Sequence, residues 1–163
     1  MNRKRLNFEA MRDGMLQVSG ELELTMHGPS QKLEIKPYSK RRAVYGYIDR
    51  QNISPTLSTF DFANPNIHAP QRVETTVPQQ ALFAFNHPFV IERSANLSKK
   101  AFDSKIANPT SQVEFLYRQI LSRNPRENES KLAVNFLGPD AKLANFEDLA
   151  QTLLVSNEFF FTD

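Results

Sequence analysis

The sequence contains no cysteine. A disulfide framework, a thiol nucleophile, a thiolate zinc site and covalently attached c-type haem are therefore excluded from this chain. The compartment stays open, because an oxidising location permits disulfides without requiring them. Long apolar runs are missing as well. Nothing approaches the roughly 18–20 residues that cross a bilayer, and the basic stub Met1-Asn-Arg-Lys-Arg5 is not followed by the apolar stretch of a secretion signal. A soluble chain with no membrane span is expected. Glycine is scarce at five residues, and neither Gly-x-Ser-x-Gly nor a phosphate-cradling glycine-rich loop occurs, which disfavours nucleotide chemistry. A charge excess is lacking too, since 20 Lys+Arg against 18 Asp+Glu leave a net +2. The basic clusters Arg3-Lys4-Arg5, Lys40-Arg41-Arg42 and Lys99-Lys100 are interspersed with acids. They read as solvated surface, and no nucleic-acid partner is expected.

What is present is ordinary globular material, with 40% apolar and 23% charged residues in 163. A chain of this length buries roughly 68–70% of its unfolded surface, enough for one core without staples. No repeat, low-complexity tract or linker divides it. One domain over residues 1–163 is expected, and its opening on a basic stub and a helix reads as a piece of a larger protein.

The periodicity is mainly helical. Phe8, Met11, Met15, Val18 and Leu22 recur every three or four residues behind Asn7 as N-cap, with Gly14 costing the helix about 1 kcal/mol. Residues 20–37 read as a surface excursion with a short strand at Leu33 and Ile35. Residues 42–50, β-branched and aromatic, read as a buried extended segment. Residues 51–75 hold three prolines and no sustained period, so they read as a long irregular connection anchored by Ile53, Leu57, Phe60, Phe62 and Ile67. Capping boxes at Thr76-x-x-Gln79 and Ser111-x-x-Glu114 start helices, with Leu82, Phe83 and Phe85 as the apolar side of the first. Another helix runs from Pro88 to Phe102. Asn124-Pro125 separates two more, Gly138-Pro139 stops the second of these, and Asn145 caps the last, with Phe146, Leu149, Leu153 and Phe160 facing inward. The expectation is a mainly α domain of about six helices, one or two short strands and a long ordered irregular segment.

Polar side chains concentrate between residues 42 and 87. Asp49, Asp61, His68 and Arg72 are the residue types of a catalytic or metal site, but their irregular intervals match no ligand or acid–base spacing. An irregular segment crossing a core needs side-chain partners for its backbone, and this supplies the other reading: a structural polar clamp of Arg42, Arg50, Asp61, Thr76, Gln79 and Asn86. The clamp is the favoured reading, and no metal and no cofactor are expected. His87 before Pro88 reads as a helix-junction residue.

Several of these stretches carry a family resemblance. Arg5-Leu-x-x-Glu-Ala-x-Arg-Asp13, Arg42-x-Val-Tyr-x-x-Ile-x-Arg50, Phe60-Asp-Phe-Ala-Asn-Pro65, and Arg72-x-x-Thr75-Thr-Val-Pro-Gln-Gln-Ala-Leu82 with Asn86-x-Pro-Phe-Val90 resemble the C-terminal part of a planctomycete domain-of-unknown-function family, number 1553. Leu116-Tyr-Arg118, Arg123-x-Pro125 and Leu153-Leu-x-Ser-x-Glu-Phe159 fit its closing helices. The resemblance implies a large exported parent that joins this region to other modules, sometimes with c-type haem domains upstream. It places the chain in the periplasm or cell envelope, with the parent's remaining modules, envelope proteins or polysaccharide as partners. Relatives often hold Cys where His68 stands, which weakens a metal or thiol role there. The segment from Leu116 to Phe159 also resembles short helical modules of other secreted and surface-layer proteins, which favours interaction over catalysis. The alternative is part of a hydrolase acting on an envelope or carbohydrate substrate.

Overall fold

Asn7 opens the first long helix as expected, its side chain accepting from the Ala10 amide at 2.8 Å. In the computed structural model, which describes residues 3–103 and 108–162, that helix is α1 (Phe8–Val18). Phe8, Met11 and Met15 are buried as their spacing predicts, and Leu16 and Arg12 are buried beside them. The helix ends at Val18, short of Leu22. Gly20 adopts φ 70, and the Gly20 and Glu21 amides close back on Gln17 O and Leu16 O, a glycine-dependent stop that overrides the apolar period. Before α1, strand β1 (Lys4–Arg5) pairs antiparallel with β2 (Phe161–Thr162). Strands of two residues have no period to read.

The chain forms two units, Met1–Ala84 with Phe161–Asp163, and Phe85–Phe160. In the first, the expected strand at Leu33 and Ile35 is absent. The described residues there form bends, with single parallel bridges Glu23 to Arg41 and Gln31 to Gly46. Residues 42–50 are likewise not a buried extended segment. Ala43–Tyr45 make a 3-10 turn, Ala43 alone of that stretch is buried, and Val44 is 71% exposed. β-Branched and aromatic composition suits a pleated half-buried surface, but among the described residues only the single bridge at Gly46 pairs with this stretch and no strand supplies a ladder.

The irregular stretch after residue 50 contains one short helix, α2 (Pro55–Thr59), capped by Ser54 Oγ on the Leu57 amide at 3.2 Å. Of the five apolar anchors, Leu57 and Phe60 are buried, Ile53 and Phe62 half-buried, and Ile67 exposed. Phe60 meets Phe8 and Phe83 with ring centroids 5.4 and 5.2 Å apart. Helix α3 (Pro78–Asn86) starts one residue later than the expected box: Gln80, not Gln79, reaches back to the Val77 amide. Its buried residues are Gln80 and Ala84, whereas Leu82 and Phe85 are exposed.

The second unit's described elements are all helices: α4 (Pro88–Asp103), α5 (Pro109–Leu121), α6 (Glu127–Leu137), α7 (Leu143–Leu154) and α8 (Asn157–Phe160). α4 packs chiefly on α7, burying Val90, Leu97, Phe146, Leu153 and Leu154. His87 stands at the α3/α4 junction, its Nδ1 accepting from the Phe89 amide at 3.2 Å. Asn108 rather than Ser111 caps α5. Asn145 lies inside α7, accepting from the Lys142 amide at 3.0 Å, so that helix begins ahead of its expected cap. Gly138, at φ 70, stops α6 where the Gly-Pro pair predicts. The fold is thus mainly helical, as expected, with eight helices among the described residues and one two-stranded sheet. No described helix is long and apolar enough to cross a membrane.

Candidate functional site

The polar residues of the opening motif organise the first unit. Glu9, Arg12 and Asp13 are spaced as neighbours on a helix surface. Each grips a different part of the irregular chain. Glu9 receives both Arg72 terminal nitrogens at 2.9 and 2.8 Å, and the Arg72 guanidinium lies 4.8 Å from the Phe62 ring. Arg12 donates to Arg41 O at 2.9 Å and to Ser39 O, and it lies 3.2 Å from Asp13. Asp13 takes the Ala43 amide on both oxygens at 2.8 and 3.0 Å. Arg41, itself buried, donates to the carbonyls of Thr25, His27 and Pro29 and stacks 3.9 Å over Tyr45. Two buried guanidiniums thereby satisfy backbone carbonyls that have no ladder.

Asp61 is the centre of the second arrangement. It follows α2 in a left-handed conformation at φ 59, which Asp tolerates better than most residues. Its Oδ2 accepts Arg5 Nη2 at 2.8 Å and the Thr75 amide at 2.9 Å, and its Oδ1 accepts Thr75 Oγ1 at 2.7 Å. Arg5 also lies 5.3 Å from the Phe60 ring. Gln80 joins the two stretches by donating to Thr59 O at 2.8 Å and Thr75 O at 3.2 Å.

Asp61 and Arg72 line one cleft of about 260 Å³ together with Lys4, Arg5, Phe60 and Glu74. Asp49 lies on a different cleft, and His68 is exposed and lines neither. Arg42 is exposed, 4.0 Å from Asp13. Arg50 braces its own loop, donating to Pro65 O at 3.0 Å and accepting Asn66 Nδ2 at 2.9 Å. Thr76, Gln79 and Asn86 are exposed, so the groups around Asp61 are Arg5 and Thr75. Arg5, Glu9, Arg12 and Asp13 lie outside the stretch 42–87 in which the sequence concentrates its polar candidates, whereas Thr75 and Gln80 lie within it. The signal for the first four is their place in the opening motif, where the apolar stripe is the stronger pattern.

The charge states follow from these contacts. Burial alone would raise the Asp61 carboxyl, but the Thr75 amide and hydroxyl and the Arg5 charge outweigh it and hold the group below its usual range. Glu9 behaves the same way, burial being outweighed by Arg72. For Asp13 burial prevails over the Ala43 amide and Arg12, and its carboxyl is raised. A general acid working near neutral pH needs a carboxyl pushed strongly upward. Asp61 and Glu9 are pushed the other way, toward ionised acceptors at neutral pH. Among the described residues no group of three or more His, Asp or Glu is placed to hold a metal ion.

The second unit has its own charged node. Arg123 donates both terminal nitrogens to Glu129 at 2.7 and 2.8 Å, and Nε and Nη2 to Glu158, the latter at 2.7 Å. Its guanidinium lies 5.4 Å from the Tyr117 ring, and Glu129 also accepts the Arg126 amide at 2.7 Å. The node ties the loop before α6 to α8. Arg123 and that amide lower the Glu129 carboxyl to about 2 from an ordinary 4.5. A lowered carboxyl stabilises above its unfolded value and loses that contribution as pH falls through its folded one. Wild-type stability should therefore drop between about pH 4.5 and 2. Glu129→Gln should cost about 1 kcal/mol at pH 7, the scale of a partly exposed pair, and most of that cost should be gone by pH 2. Urea midpoints at the two pH values check this, and an equal deficit at both refutes it.

No curated protein and no solved structure matches the chain. A family model matches residues 1–137, a span holding the opening motif, the Asp61 arrangement and the Arg123–Glu129 pair. That model is PSD1, described as protein of unknown function (DUF1553), and the chain belongs to this family.

Proposed function

We propose that this chain is an accessory interaction module, the C-terminal portion of a larger exported protein. Its partners are the remaining modules of that parent and, beyond them, proteins or polysaccharide of the cell envelope. The observation that carries this reading is the fate of the reactive groups: Glu9 is engaged on both oxygens by the Arg72 guanidinium, and Asp61 is taken up by Arg5 and by the Thr75 amide and hydroxyl. A second observation supports it. Leu132 and Phe136 on α6 are 70% and 53% exposed and border a shallow apolar hollow of about 250 Å³ with Tyr117, Leu149 and Leu153. Adjacent large apolar side chains left in water favour an interaction surface.

The hydrolase alternative draws on one feature, the opening of Asp61, Arg72 and Glu74 onto a common cleft. A single experiment separates the two readings. Produced as two polypeptides, this chain and the rest of its parent should associate in sedimentation velocity, and Leu132→Asp with Phe136→Asp should weaken that association about tenfold or more. Absence of association, together with glycoside or ester hydrolysis by the intact parent that Asp61→Asn abolishes, would transfer the chain to the hydrolases.

A further inference from the structure

The cleft that holds Asp49 differs in kind from the one at Asp61. Its walls are the stretches 32–35, 47–49 and 52–54 with Leu57, and its volume is about 280 Å³. The first two walls are pinned to each other at their origin, the Gln31 amide donating to Tyr45 O and the Tyr47 amide to Gln31 O, both at 2.9 Å. Leu33 packs so closely on Gly46 that a Cβ there would stand 2.5 Å from Leu33 Cδ1 and 2.9 Å from Ala43 O. Buried Leu33 and Leu57 give the cleft an apolar floor. Tyr47, 54% exposed, supplies an aromatic wall.

Around this floor the polar groups are unspent. Asp49 Oδ1 accepts the Gln51 amide at 2.9 Å. Among the described residues its other oxygen, the Asn52 amide, the Tyr47 hydroxyl, the Lys32 amine and the Glu34 carboxylate take no protein partner. We propose that this cleft binds one pyranose ring of a neutral saccharide. A pyranose has an apolar face of polarised C–H bonds that suits the electron-rich face of Tyr47, and a rim of vicinal hydroxyls that suits a carboxylate beside an amide. The volume falls just below that of ordinary ligand pockets, about 300 Å³ and upward, and so admits a single ring and excludes a dinucleotide. Two carboxylates against one amine repel phosphate and sulfate, and the apolar floor beside the Tyr47 ring favours a neutral ring over a bare cation.

This inference concerns a site that shares no residue with the α6 hollow, so it fails or holds independently of the association with parent modules. The test is calorimetric titration of the full chain with cellotetraose, maltotetraose and the N-acetylglucosamine tetramer, with tetralysine as a cationic peptide probe. Saturable binding of at least one tetrasaccharide is expected. Tyr47→Ala should weaken it about tenfold, equivalent to about 1.4 kcal/mol, while Tyr47→Phe retains most of it. Asp49→Ala and Asn52→Ala should each weaken it severalfold. These side chains are exposed, so the variants keep the wild-type melting temperature, and Leu132→Asp leaves saccharide binding unchanged. Failure of all three tetrasaccharides to saturate overturns the proposal, as does equal affinity of wild type and Tyr47→Ala. Tetralysine binding that Tyr47→Ala or Asp49→Ala abolishes, without saccharide binding, would make this a site for cationic peptide instead.

Discussion

Arg12→Ala is expected to destabilise the chain by about 3–5 kcal/mol, the range for removing one member of a buried charged arrangement. Arg12 is 1% exposed, and its guanidinium serves Arg41 O, Ser39 O and the Asp13 carboxylate at once. Truncation leaves two carbonyls without their donor and an acid whose charge burial already disfavours. Arg12→Lys should recover only part of the loss, because an ammonium lacks the planar fork that reaches several acceptors together. Guanidinium denaturation gives the magnitude, and hydrogen exchange gives the place: protection should fall first at the Glu23 and Gln31 amides, whose acceptors lie in the segment that Arg12 holds. A midpoint unchanged in Arg12→Ala would show that the excursion between α1 and α2 holds itself.

The second large effect is at Asp61. Asp61→Asn keeps the shape and tolerates the left-handed backbone, so any change reports on charge and hydrogen bonding. A loss of more than about 2 kcal/mol at pH 7 is expected, because Arg5 is then left with its charge buried and unmatched. The sign of the pH dependence follows from the lowered carboxyl. Its contribution is complete above the ordinary value of 3.8 and disappears as pH falls through the lower folded value. Wild type and Asp61→Asn should therefore diverge above the ordinary value of 3.8 and converge in stability as pH falls well below it. A constant gap across that range would refute the ion-pair account, and an unchanged melting temperature at pH 7 would remove Asp61 from the list of structural anchors.

Much of the fold was legible because the rules involved are local. Asn7 before an apolar stripe, Gly138-Pro139 after one, and the run from Pro88 onward specify helix starts, stops and faces within a few residues. Local signals also misled in instructive ways. Thr76-x-x-Gln79 and Ser111-x-x-Glu114 both satisfy the capping pattern, yet α3 begins at Pro78 with Gln80 reaching back to Val77, and α5 begins three residues earlier than its box, behind Asn108 with Pro109 as its first residue. The stretch 42–50 satisfies strand propensity and still its Ala43–Tyr45 make a 3-10 turn, since a strand needs a partner that propensity does not provide.

By itself the sequence determined which residue types were present and which were impossible: no thiol chemistry, no long apolar span, a mainly helical second half, and a concentration of polar groups in the irregular middle. Only the tertiary structure decided which of those groups meet. Asp61 finds Arg5 from 56 positions away, Arg72 finds Glu9 from 63, and Arg12 reaches Arg41 O across 29. Periodicity tells which face of an element a side chain occupies. Which distant segment comes to lie against that face is settled by how the whole chain packs, and that is why Asp61 and Asp49, alike in sequence, end as a saturated anchor and an open acceptor.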